Sequence, residues 1–245
     1  MKPALIVVGA DKGGVGKTTT SRLLLDYLAS RNTPARAFDT EFPRGTLKRF
    51  HEDITEVVDL TQTSDQMRII DTLHDAGQKV SVIDVRAGRL GPTLQTLRDI
   101  GFLDAARDGE FTFCLFHVLG PSISSLEEIA ITAPFVSDAH YFLVKNHIND
   151  TTFFEWDPAT SHSYFDQVKS TGDLSIPKLD EHAYEQVEIS SVPFSLFAAN
   201  KTLNNEPASH SFVLRGYVRT WMKQVEAELE RVKLMDIFAS KKPKR

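Results

Sequence analysis

An apolar, β-branched run, LIVVG (Leu5–Gly9), opens directly into a glycine-rich loop, ADKGGVGKTTTS (Ala10–Ser21), and the loop leads into a stretch with helical periodicity. No other part of the chain restricts the fold as strongly. Strand, loop and helix in this order leave a turn of free backbone N–H groups at a helix N-terminus, where the helix dipole also favours negative charge. Gly13, Gly14 and Gly16 let those amides approach phosphates without a Cβ in the way. Val15 and Thr19 complete the loop, Lys17 is placed to reach β- and γ-phosphates, and the Thr18 hydroxyl to reach Mg²⁺. Two features depart from the strict pattern G-x-x-x-x-G-K-[ST]. Asp11 stands where the first glycine belongs, and a second lysine, Lys12, sits at the mouth of the loop. A carboxylate ~5 Å from a phosphate charge costs about 3 kcal/mol at an effective dielectric near 20. The Asp11 side chain is therefore expected to turn away and pair with a basic group, Arg86 or one across a dimer.

The remainder alternates short apolar runs with helical stretches, which predicts an α/β single-domain P-loop NTPase: a mostly parallel twisted sheet with helices on both faces. Further strands are expected at 35–40, 56–60, 79–84, 111–119, 140–146 and 174–179. Helices are expected at 17–30, 64–76, 92–106 and 127–135, with a long C-terminal one over about 209–238 and a basic tail at 239–245. No repeat, low-complexity linker or domain boundary divides residues 1–245. The segment from Asp150 to Gly172, with its FFEW cluster, reads either as irregular core or as a partner-contact loop.

Composition narrows the function. The single cysteine, Cys114, lies in the apolar run FTFCLF and reads as a buried inert thiol. One cysteine excludes a disulfide framework within the chain and an iron–sulfur cluster shared by two subunits, which needs two from each. A net charge of −5 argues against bulk polyanion binding. No apolar run reaches the ~18 residues that span a bilayer, and the expectation is a soluble cytoplasmic protein.

KGGVGKTT (Lys12–Thr19) resembles the deviant Walker A motif of the ParA/MinD family of ATPases. Two further segments support the resemblance: FDTEFPRGTL (Phe38–Leu47) is similar to the family's D-x-D segment, and VSVIDVRAG, ending at Gly88, to its Walker B strand and switch. The resemblance implies ATP and Mg²⁺ as cofactors and ATP-dependent homodimerisation, with Lys12 crossing to the nucleotide of the other subunit. It implies an activating partner protein, and use of the cycle to position DNA, plasmid or protein cargo. By the same resemblance Lys12, Lys17 and Glu41 are the catalytic candidates, with Glu41 positioning the attacking water. Thr18, Asp39 and Asp84 are the metal-site candidates; Gly88 offers its N–H to a γ-phosphate; Asn146 hydrogen-bonds the adenine, and Pro193 flanks the base. Glu41 is one methylene longer than the family's aspartate, which implies slow hydrolysis; a solvated surface acid is the other reading. Val85 and Arg86 replace the family's usual residues after Asp84, and Arg86 reads as a surface charge or as a sensor of the γ-phosphate or facing subunit. The D-T-E segment with Thr46 looks like ParA-like proteins of plasmid mobilisation and conjugation operons.

Two other functions fit the same fold: a nucleotide-binding regulatory module with little hydrolysis, and a metabolic ATP-dependent synthetase. The second needs a substrate acid site beside the γ-phosphate, and no motif for one is present. The basic end, KKPKR, reads first as a plain tail and otherwise as a contact to membrane or DNA, which net charge does not support.

Overall fold

The computed structural model describes residues 2–239 except 75, 76, 78, 149, 150 and 167. These residues form one seven-stranded sheet in which every pairing is parallel. The strands are β1 (Ala4–Gly9), β2 (Ala35–Asp39), β3 (Thr55–Val57), β4 (Val80–Asp84), β5 (Thr112–Leu119), β6 (His140–Asn146) and β7 (Gly172–Ile176), in spatial order β3-β2-β4-β1-β5-β6-β7. A parallel sheet is covered on both faces, so its strands can be apolar throughout, and every residue of β1, β4 and β5 is buried.

Alternation along β1 divides the core. Ile6 and Val8 face one cluster, which includes α1 (Lys17–Ser30), α7 (Glu181–Ser190), α8 (Phe194–Ala198) and α9 (Phe212–Arg231). Leu5 and Val7 face the other, with α3 (Leu90–Asp99) and α5 (Ile123–Thr132). Trp221, Val225 and Leu229 recur every four residues and bury one stripe of α9.

Several elements differ from expectation for local reasons. The helix expected over 92–106 is two, α3 and α4 (Phe102–Arg107), because Gly101 takes a left-handed φ of 77° between them. The helix expected over 64–76 is α2 (Thr63–Ile70), and position 76 lies outside the described residues. The α5 helix starts at Ile123, four residues before the expected position, where the Ser122 hydroxyl accepts the Ser125 N–H as an N-cap. The C-terminal helix breaks at Lys233, φ 54°, into α9 and α10 (Leu234–Ala239). Tail residues 240–245, including KKPKR, lie outside the described residues.

In the segment of poor periodicity, Phe153 is fully buried while Trp156 is 76% exposed, and α6 (Pro158–Phe165) follows. The aromatic cluster therefore splits between core and surface. The register pairs Asp39 with Asp84 and Val8 with Asp84, which brings the carboxyl ends of β2, β4 and β1 together. Ligands of open α/β sheets sit beyond that edge.

Candidate nucleotide site

A cavity of about 970 Å³ opens at this edge. Gly13, Gly14, Gly16, Lys17, Thr18 and Thr19 line one side; Asp39, Glu41, Asp84 and Arg86 line the floor and far wall. The loop can wrap a ligand because Gly14 and Gly16 take φ values of 73° and 94°. Gly16 is fixed for a second reason. A Cβ there would lie 1.9 Å from Asn146 Nδ2, which donates to the Val15 carbonyl at 2.9 Å. Asn146, at the end of β6, thus supports the loop from below and also lines the cavity.

The loop helix and the sheet are joined through Asp84. The Thr18 hydroxyl donates to one oxygen of its carboxylate at 2.7 Å and the Ser21 hydroxyl to the other at 3.0 Å. Burial pushes Asp84 up to about 7, the neighbouring Asp39 adds to this, and the two hydroxyls and Lys17 oppose it. Burial likewise lowers Lys17, against the pull of Asp84, Glu128, Asp11 and Glu41. The Lys17 ammonium donates to the Lys12 carbonyl at 2.9 Å, folded back over its own loop.

Asp39 uses both oxygens on the following loop: the Glu41 N–H donates to one at 2.9 Å, the Leu47 N–H to the other at 2.6 Å. Glu41 in turn accepts from the Thr46 hydroxyl. Lys12 is exposed, and its ammonium donates to the Ser122 hydroxyl at 2.6 Å. The backbone N–H groups of Asp11 and Lys12 both donate to the Glu128 carboxylate, at 2.9 and 3.1 Å. Buried His117 backs Glu128 at 3.4 Å and meets the Tyr141 hydroxyl at 2.8 Å. The amides free to meet a phosphate therefore begin at Gly13.

Three expectations are corrected. Asp11 does not pair with Arg86; its carboxylate turns from the cavity and accepts the Leu90 N–H at 3.0 Å, because the first turn of α3 has a free amide within reach. The Gly88 N–H does not face the cavity, since the Asp11 carbonyl takes it at 2.8 Å. Pro193 starts α8 and is not part of the cavity wall; Pro177, after β7, is, together with Leu179, Tyr184 and Trp221. The Trp221 indole N–H donates to the Pro177 carbonyl, fixing that wall.

Sequence reasoning missed Glu128, His117, Ser122 and the Pro177 wall. Pro177 interrupts the strand expected over 174–179 and could have been read as its end, where β7 in fact stops at Ile176, whereas nothing local marks Glu128.

The residues fit a nucleotide triphosphate with Mg²⁺. Mg²⁺ takes oxygen ligands from one or two carboxylates and the substrate's phosphates rather than from a protein cage. Thr18 and Asp84 supply such oxygens side by side, and among the described residues no cluster of three or more His, Cys, Asp or Glu could hold a metal alone.

The fold is similar to that of P-loop proteins of the ParA/MinD type. A ParA family ATPase from Chlorobium tepidum TLS superposes with a TM-score of 0.54 at 12% identity, over 90% of this chain and 99% of that one. The septum site-determining protein MinD from Pyrococcus horikoshii OT3, complexed with Mg-ADP, gives 0.52 at 17% identity, over 97% and 99%. The MinC:MinD cell division complex of Aquifex aeolicus gives 0.51 at 14%, over 90% and 96%. No protein-family model and no curated protein matches the sequence. Among the described residues no helix is long and apolar enough to cross a membrane.

The Asp84 carboxyl makes the stability of the ligand-free protein depend on pH. Its folded value, about 7, lies above the unfolded value near 3.8. Between those values the folded state keeps a proton that the unfolded chain has lost, so stability falls as pH rises from about 4 to about 7. Asp84→Asn removes this loss. Its stability advantage over wild type should grow by a few kcal/mol (order of magnitude) between pH 5 and 8, read as roughly 2–4 °C of melting temperature per kcal/mol. A difference independent of pH would show that Asp84 is not the titrating group.

Proposed function

We propose that this chain is an ATP-binding and ATP-hydrolysing dimeric switch of the ParA/MinD type, cycling slowly and positioning a DNA, plasmid or protein cargo with the help of an activating partner. Gly13 to Thr19 hold the triphosphate, Lys17 swings from the Lys12 carbonyl to the β- and γ-phosphates, and Thr18 and Asp84 hold Mg²⁺. Asp39 shapes the adjoining loop and carries Glu41 to the cavity wall. Asn146 and the Pro177 wall border the space left for the base.

Lys12 is the observation that carries the dimer reading. A lysine needed only for its own nucleotide would point into the cavity; this one is exposed, is not among the residues that line it, and is held by the hydroxyl of Ser122, the N-cap of α5. An exposed hydrogen bond of this kind contributes only ~1 kcal/mol, so the side chain can leave Ser122 for a stronger charge on a facing subunit. Lys12→Ala should abolish dimerisation driven by Mg-ATP; an unchanged dimer mass in multi-angle light scattering sinks this reading.

Glu41 favours slow turnover. It is held by Thr46 rather than free to approach a water, and its extra methylene moves the carboxylate from where an aspartate would place it. Glu41→Ala should lower phosphate release at least tenfold while leaving nucleotide affinity within about twofold, since positioning a catalytic group accounts for factors of ~10²–10⁴. Phosphate release at the wild-type rate would remove Glu41 from the mechanism and favour the alternative, a nucleotide-binding module with little hydrolysis.

A further inference from the structure

Asp11 meets three separate parts of the molecule with three different groups. Its N–H donates to Glu128 on α5, its carbonyl accepts from Gly88 in the segment after β4, and its carboxylate accepts from Leu90, the first residue of α3. The helix lacks a cap of its own: Arg89 holds the N-cap position and its side chain makes no capping bond. A residue 79 positions away supplies it. The contact is close elsewhere too, since a Cβ on Gly13 would lie 3.7 Å from the Ala87 Cβ. Loop and switch segment thus abut at the cavity, and Asp11 straddles the join.

We infer that Asp11 is a positioning residue that couples occupancy of the phosphate loop to the start of α3. Glycine, the residue of the strict loop pattern, would keep the two backbone bonds but could not cap α3. The carboxylate that looked like a defect in a phosphate site adds a link between the loop and the switch helix. A ligand that tightens residues 13–19 pulls on Asp11, and through its side chain on Leu90. Arg86 and Ala87, which line the cavity, directly precede Gly88, whose N–H the Asp11 carbonyl accepts. This inference rests on the nucleotide-binding reading of the site.

Hydrogen–deuterium exchange with and without Mg²⁺ and the non-hydrolysable ATP analogue AMPPNP tests it, on wild type, Asp11→Ala and Asp11→Asn. Wild type should gain protection over both 13–19 and 86–94. Asp11→Ala should keep the gain over 13–19, lose it over 86–94, and exchange about fivefold faster there without nucleotide, the usual effect of a lost cap. Asp11→Asn, whose amide oxygen can accept the same N–H, should restore the wild-type response. Unaltered far-UV circular dichroism and unaltered exchange in β5 and β6 would show that the variants fold. An Asp11→Ala protein with the wild-type response over 86–94 overturns the coupling, and so does an Asp11→Asn protein that behaves like the alanine variant. Absence of protection over 13–19 in wild type would instead overturn the nucleotide reading itself, and the coupling with it.

Discussion

The site depends on one buried carboxylate. Asp84 ends a fully buried strand, and desolvation there disfavours its charge unless donors surround it. Thr18 and Ser21 on α1 provide them, so the same two bonds that satisfy Asp84 also fix the angle at which the loop helix leaves the sheet. The glycine loop between β1 and α1 has its shape because both of its ends are held, by β1 in the sheet centre and by α1 on Asp84. Asn146 then locks the loop from beneath, at a distance no side chain on Gly16 would permit.

A second polar locus holds the far side of α1. Arg22 is 1% exposed, stacked between the rings of Phe50 and Phe194 and paired with Glu188 at 2.7 Å. Glu188 also pairs with Arg49, which belongs to the loop after β2. The arrangement ties the loop helix, the Glu41-bearing segment and α7 together, yet it leaves Arg22 Nε and Nη2 without hydrogen-bond partners. A buried pair of this kind contributes little net stability. The aromatic faces on both sides of the guanidinium account for its tolerance in the core. Rigidity of the loop's surroundings is the consequence: α1 is held at its start by Asp84 and midway by Arg22.

What was legible beforehand followed from local pattern. Alternation and apolar runs placed the strands within one to three residues, and the glycine loop placed the cavity, because both signals lie within a few neighbouring residues. The readings that failed depended on contacts distant in sequence. Arg86 appeared a natural partner for Asp11 by charge alone, but the partner was a backbone amide at Leu90, which no sequence displays. Gly88 was assigned to a phosphate, and its N–H went to the Asp11 carbonyl instead. Pro193 came from the resemblance of its segment to the family's, whereas the proline that lines the cavity is Pro177, directly after β7. Glu128 had no local signal, since its role consists of accepting two amides more than a hundred residues earlier.

The central claim is that this cavity binds a nucleotide triphosphate through its loop. Isothermal titration of the protein with ATP, in the presence and absence of Mg²⁺, tests it most directly when repeated with Lys17→Ala. The account predicts saturable binding at one site per chain, strengthened by Mg²⁺ and lost in the variant. Failure of the wild-type protein to bind, or equal binding by Lys17→Ala, would contradict it.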